Sequence, residues 1–518
     1  MQSAEPSSGG EPTTRRDLLY LLAQAAELEH SLACQYLFTA FSLKEQPSEG
    51  VTVLQLRKIT NWQNEIIGVA VQEMLHLALA SNLLTAIGGA PYFRRANFPQ
   101  SKTYTSLSLR FELAPFSDDT LQRYVCFELP EDFQPAQGET DWNSVCSLVR
   151  TSHAFLVAPP LLPKKLDFHS IGELYGLIRT GFAQIETSLQ ASDQTLFIGP
   201  PDAQATGIWP ELAAVTDVTS AQTVIDLIIA QGEGTPTDQT HNHFRTFVGI
   251  LGEYRAEVQS DPAFQPARPV VGNPLLDLQR DQPDAVSLGA NVINDSPARD
   301  VMEIFAAVYE VMLQILTRYF AHTDEDEEQL YVLKSAFLNL MSFVLAPIGT
   351  AITQLPAGAS FAGKTAGPSF EVFSDVALLP HLTSAWVYFR ERLTEIATAC
   401  DSLAAGPPAA GQPLQTALTA ASAALRRIAY PISSQPNGLT WANGISQLFS
   451  PMDVAHMGGL GLDLGDYQTV KSQAGGGNEG SAIWDKVSQK DMPAAPIGPW
   501  TDQRIQLFKS WIDNGFPE

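Results

Sequence analysis

The stretch VQEMLHLALASNLL, Val71 to Leu84, lies inside a long apolar helical pattern and places Glu73 and His76 three residues apart on it. A helix this apolar has to be covered on most sides by other helices, so the pattern demands a bundle. At helical spacing Glu73 lies with Val69, Ala70 and Leu77, and His76 lies with Val69, Leu79, Ala80 and Leu83. Both polar groups therefore point into apolar surroundings. They either hydrogen-bond to each other or to a neighbouring helix, or they hold something between helices.

The rest of the chain supplies partners for such a helix. Residues 14–42 and 53–87 read as two long helices. The first has Asp17 in its first turn, and the second is stopped by Gly88, Gly89 and Pro91. Helical patterning returns at 170–190, at 220–231 and from 241, then at 298–322, 326–354, 379–405 and 414–429. Between 101 and 130, TSLSLRFEL and RYVCFELP alternate apolar and polar residues, which predicts short strands or extended segments. The expected chain is mainly α, with a disordered 1–13 followed by a helical bundle at 14–258. A connecting surface loop at 259–297 leads to further helices at 298–405 packed on the bundle. A linker and helix at 406–429 and a small C-terminal helical domain at 430–518 complete it.

Composition narrows the partners. Of 518 residues 56 are acidic and 31 basic, a formal charge of -25, which leaves no basic surface to neutralise nucleic acid or an anionic membrane. No uninterrupted apolar run reads as long enough to span a bilayer. The Arg15–Arg16 pair is followed by Asp17, Glu27 and Glu29 rather than by an export signal. Cys34, Cys126, Cys146 and Cys400 form no CxxC pair, which predicts free, buried thiols in a reducing, cytoplasmic compartment.

Glu-x-x-His on one helix face is the pattern by which four-helix bundles build di-iron or di-manganese sites, and a complete site wants about four carboxylates and two histidines. In the first helix Glu29 shares its face with Leu22, Ala25, Leu32, Ala33 and Tyr36. The more conspicuous Glu27–His30 pair sits with Gln24, Ser31 and Cys34. Glu29 is thus the buried carboxylate, and burial is costly without a metal, a cation or a proton. Glu173 in SIGE is either a third inward carboxylate or the last residue of a capping box begun by Ser170. Glu233 in QGEG is either a fourth or an exposed loop residue. Pro236 stands where its i+3 histidine would be, so the second imidazole comes from His241 or His243. Glu65 reads as structural, and His169, one turn before Glu173, as a supporting partner.

Together ELEHSLACQYLFTAFSL, EMLHLALASNLLTAIGGAPYF, SIGELYGLI, IIAQGEGTP with HNHFRTF, and LAPIGTAITQLPAG with AGPSFEVF resemble the ferritin-like domain of the iminophenyl-pyruvate dimer synthase family. That family occurs in bisindole pathways of the violacein and rebeccamycin type, and the likeness covers roughly residues 15–375. It implies a ferritin-like bundle with two Fe or Mn ions on Glu29, Glu73, His76, Glu173, Glu233 and His243. His243 is taken over His241 because HFRTF matches the family's His-aromatic pattern. The pathway enzymes carry additional sequence, so imine coupling does not transfer with the domain automatically.

The implied activity is a dinuclear metal-dependent oxidase or oxygenase using O2 or peroxide on a small, amino-acid-derived imine or indole-type metabolite. Competing readings are manganese-catalase-like peroxide disproportionation, a non-enzymatic ferritin-like metal-binding protein, and a bundle that has lost its metal. A homo-oligomer is compatible with each. The segment 430–518 faintly resembles a cytochrome-c tail, with His456, Met457 and Met492 as conceivable axial ligands. Without CxxCH it reads as a packing domain of unassigned role, and no haem is expected.

Overall fold

The computed structural model describes residues 11–100, 110–147, 168, 170–232, 242–278, 284–373, 377–406, 411–433, 440–474 and 482–518. The chain divides into two compact units. The first comprises residues 1–204, 213–292 and 363–367, and the second comprises 205–212, 293–362 and 368–518.

In the first unit, α1 (Arg15–Ser42) and α2 (Val53–Ala86) pack along each other. Both begin on reciprocal caps. Thr14 accepts from the Asp17 N–H while Asp17 accepts from the Thr14 N–H, and Thr52 and Gln55 do the same for α2. These caps satisfy N–H groups that the first helical turn leaves without partners. Gly88, at φ +88°, ends the second helix with its N–H on the Thr85 carbonyl, a conformation that strains any residue with a Cβ. Leu79, Ala80 and Leu83 of α2 and Leu18, Leu21, Leu22 and Leu32 of α1 are fully buried. Each such leucine contributes about 1.5–3 kcal/mol of transfer free energy. α5 (Ile171–Gln190) packs on α1, and α6 (Val218–Gly232) packs on α5 and α2. The pair α3 (Asp118–Phe127) and α7 (His243–Ser260) joins them through contacts of α7 with α2 and α6. The short α4 (Trp142–Ser147) lies on α3.

Three sequence expectations need correction here. RYVCFELP is not a strand: Ser117 caps α3, and Leu121, Tyr124 and Val125 bury one helical stripe, so the period was 3.6 rather than 2. The connection after 258 is not wholly on the surface. Phe264, Arg268, Val270, Val271, Leu275 and Leu276 are buried, and a two-residue parallel pair, β1 (Pro274–Leu275) with β2 (Asn291–Val292), lies within it. The cysteines are not all free. Cys126 and Cys146 form a disulfide across 20 positions because α4 folds back on α3, while Cys34 and Cys400 remain free and buried.

The second unit is also helical. α8 (Ala298–Ala321), α9 (Glu327–Leu340), α10 (Ala346–Ile352), α11 (Leu382–Ala404) and α12 (Gly411–Ser433) pack together, with α11 against α12 the most extensive pair. A π turn at Met341–Leu345 joins α9 to α10 just before Pro347, whose missing N–H and bulky ring disfavour a regular turn there. α13 (Pro451–Gly459), α14 (Tyr467–Ala474), α15 (Ala482–Ser488) and α16 (Asp502–Asp513) surround a core of Trp441, Phe449, Trp500, Phe508 and Trp511. Contrary to the sequence reading, Val53–Ala86 and Glu327–Ile352 are long and apolar enough to cross a membrane. Most of each apolar window, 72% and 61%, is buried inside the fold, as in a core helix.

Candidate metal centre

Five buried groups meet inside the first unit. Glu29 comes from the middle of α1, and Glu73 and His76 from successive turns of α2. Glu128 is the residue that ends α3, and His243 opens α7 directly after its Asn242 cap. None is more than 3% exposed, so water solvates none of the charges. Their carboxylate oxygens and ring nitrogens fall into two groups tight enough to hold a metal ion, Glu29–Glu73–His76 and Glu73–Glu128–His243.

Glu73 is common to both groups, and the halves mirror each other about it. His76 Nδ1 lies 3.0 Å from Glu73 Oε2 and 3.7 Å from Glu29 Oε2. His243 Nδ1 lies 3.0 Å from Glu73 Oε1 and 3.5 Å from Glu128 Oε2. The two rings are 5.5 Å apart between centroids. On the far side of each ring a glutamine carbonyl meets Nε2, Gln231 at 2.9 Å from His76 and Gln72 at 3.0 Å from His243. A carbonyl can only accept, so it fixes the ring proton on Nε2 and leaves the Nδ1 lone pair of a neutral imidazole facing the carboxylates. Tyr175 donates to Glu29 Oε1 at 2.6 Å, and Tyr36 donates to Glu128 Oε1. Each outer carboxylate thus keeps its second oxygen turned toward a histidine.

The electrostatics show how poorly the protein alone resolves this cluster. Burial and the nearby Glu73 charge push Glu29 up to about 7. Burial opposes charging of His76, but hydrogen bonds to Glu29 and Glu73 outweigh it and raise the imidazole to about 10. His243 behaves alike: burial opposes its charge, and the carboxylates of Glu73 and Glu128 raise it to about 9. Glu73 is held below its usual range despite burial, chiefly by His243. Even so, Glu73 Oε1 and His243 Nδ1, buried and 3.0 Å apart as an ion pair, are each left without a well-formed hydrogen bond. Two unpaired polar atoms at the centre of a cluster fit a cation between them better than a proton.

The structure brings together Glu29, Glu73, His76 and His243 of the residues singled out in the sequence. Glu173 is in neither group. It is half-buried in the first turn of α5, where its N–H donates to Ser170 Oγ at 2.9 Å. Glu233, with His241 and His169, falls outside the described residues. Glu27 accepts from the Ala96 N–H at 3.2 Å, and His30 is buried with its imidazole held below the usual value by burial and by Arg95. Glu128 was missed, yet a signal for it existed. Once 118–127 is read as a helix, Leu121, Tyr124, Val125 and Glu128 fall on one face.

The ferritin-like family model matches residues 22–252. That stretch has a ferritin-like fold. All five clustered groups lie in it. Among curated proteins, the chain is 27% identical to dichlorochromopyrrolate synthase of Lentzea aerocolonigenes, over 73% of this chain and 38% of that one. It is 28% identical to 2-imino-3-(indol-3-yl)propanoate dimerase of Chromobacterium violaceum, over 71% of this chain and 35% of that one. The resemblance drawn from the motifs therefore holds, and the chain spans little more than a third of the length of these relatives. A ferritin-like protein from Caulobacter vibrioides is similar with a TM-score of 0.42 and 19% identity, over 70% of this chain and all of that one.

Proposed function

We propose that the ferritin-like domain holds two metal ions and is an oxidoreductase acting on a small imine or indole-type metabolite. The observation that carries this reading is the arrangement around Glu73, whose two oxygens each face a histidine Nδ1 whose other nitrogen is tied to a glutamine carbonyl. Glu29 and His76 would complete one ion's protein ligands, and Glu128 and His243 the other's. Three carboxylates with only two imidazoles suit Fe or Mn, since hard oxygen donors dominate. Bound ions of this kind supply one- and two-electron chemistry with O2 or peroxide.

The chain's own residues do the rest. Tyr36 and Tyr175 orient the outer carboxylates, and the glutamines set the imidazole tautomers. Leu32, Ile171 and Ile228 line the small cavity beside the cluster and keep it dry. The imine or indole substrate class is supported by the similarity to the 2-imino-3-(indol-3-yl)propanoate dimerase. Anaerobic loading with Fe or Mn should give about two ions per chain, and added indole-pyruvate imine should then drive O2 uptake. A protein that takes up no metal, or whose Glu73→Ala variant takes up as much, sinks the reading.

One observation favours a second reading, peroxide disproportionation at the same ions. The cavity beside the cluster has a volume of about 10 Å³, room for about one water-sized molecule. Peroxide, with two oxygens, is far nearer that size than an indole, which the space as it stands does not hold. Oxygen release from peroxide without organic substrate selects this alternative.

A further inference from the structure

A far larger cavity than the one beside the metal-type cluster lies elsewhere in the molecule. It is a cleft of about 230 Å³ within the second unit, walled by one face of α11, the end of α12, the turn at 444–448 and α16. For scale, a cavity of about 150 Å³ accommodates benzene, so this cleft has room for a ring system with a short substituent. Trp386 and Tyr430 give it aromatic walls, and Leu382 and Val387 add apolar surface.

Three charged side chains reach the cleft: Glu328, Arg504 and Arg390. Glu328 and Arg504 neutralise each other, Arg504 Nε donating to Glu328 Oε1 at 2.7 Å. Arg390 is different. The unit's other arginines are all engaged: Arg299 with Glu303, Arg318 with Asp324 and Glu325, Arg392 with Glu395, Arg426 with Asp401, Arg427 with backbone carbonyls, and Arg504 as above. Among the described residues the Arg390 guanidinium has no hydrogen-bond or ion-pair partner. The cleft therefore carries a net positive charge in a chain whose formal charge is -25.

Aromatic walls and an unpaired guanidinium fork define one ligand chemistry. We propose that this cleft binds a small aromatic monocarboxylate, its carboxylate on Arg390 and its ring against Trp386 and Tyr430. The site is separate from the metal-type cluster and does not depend on how that cluster is read.

The probe is indole-3-acetate, titrated calorimetrically into the full chain, with indole as comparator. Indole-3-acetate should bind at micromolar to millimolar concentration, and Arg390→Ala should weaken it at least tenfold, with Arg390→Lys recovering part of the loss. Indole, lacking the carboxylate, should bind severalfold less tightly. Val387→Trp, which fills the cleft from a partly exposed position, should abolish binding while circular dichroism and melting stay unchanged. Glu73→Ala should leave binding as it was. No binding at millimolar probe, binding indifferent to Arg390→Ala, or binding lost with Glu73→Ala overturns the proposal.

Discussion

Two clusters of charge, one in each unit, are built on opposite principles. In the second unit, the Glu325 side chain is covered against Arg318, which also pairs with the half-exposed Asp324, and the Trp386 indole N–H donates to Glu325 at 3.2 Å. Guanidinium is charged at every accessible pH and forks onto carboxylates, so this cluster closes on itself and leaves nothing to bind. In the first unit, Glu29, Glu73 and Glu128 have no Arg or Lys partner among the described residues. Their neighbours are two imidazoles and two phenols. Imidazole is the cation a protein can surrender, because loss of its proton leaves a lone pair able to bind a metal. Buried carboxylates paired to arginine stabilise a fold, whereas buried carboxylates paired to histidine make an exchangeable site.

That contrast can be broken experimentally. The largest effect is expected from Glu73→Ala, which should reduce bound metal from about two ions per chain to essentially none by elemental analysis, since both halves share it. Arg318→Ala should leave metal content untouched but strand Glu325 in the interior, costing about 3–5 kcal/mol in denaturant unfolding of that unit. Metal loss in Arg318→Ala would erase the distinction between the clusters.

A finer cut separates the carboxylates. Glu128→Ala should remove one ion of the two and leave the other, while Glu173→Ala should leave the stoichiometry unchanged. The reverse result would restore the ligand set implied by the motifs. Gln231→Leu, which releases the His76 ring from its far-side acceptor, should weaken metal affinity by roughly 10- to 100-fold without altering stoichiometry.

The smallest effect is on pH dependence, and its sign differs between metal-free and loaded protein. His76 and His243 are raised in the fold to about 10 and about 9, so folding favours their protonated forms. Their contribution to metal-free stability is complete below the ordinary histidine value of about 6.5. It is lost as pH rises through 9 and then 10. Metal must displace those protons, so its affinity should increase over the same range. The arginine cluster should show neither trend, which melting curves with and without Mn2+ would reveal.

Much of the fold was readable from local pattern. The ends of α1 and α2 were set by Thr14, Thr52 and Gly88, because caps act within a turn and leave a local signature. Glu73 and His76 stood out for the same reason, as polar groups on an apolar face of one helix. Glu128 escaped because a ten-residue helix with Tyr, Val, Cys and Phe near its end also satisfies a strand's composition. The Cys126–Cys146 pairing escaped because it joins residues 20 apart, brought together only when α4 folds back on α3.

The sequence by itself determined the helices, their apolar faces, the ferritin-like resemblance and the inward placement of Glu29, Glu73 and His76, since each follows from helical periodicity. Tertiary structure decided which groups share a centre. It turned His243 toward Glu73, supplied Glu128 from the end of α3, and set Gln72 and Gln231 behind the rings. Those contacts join residues up to 171 positions apart. Helical period says which way a side chain faces along its own helix, and only the packing of one helix on another says what it meets there.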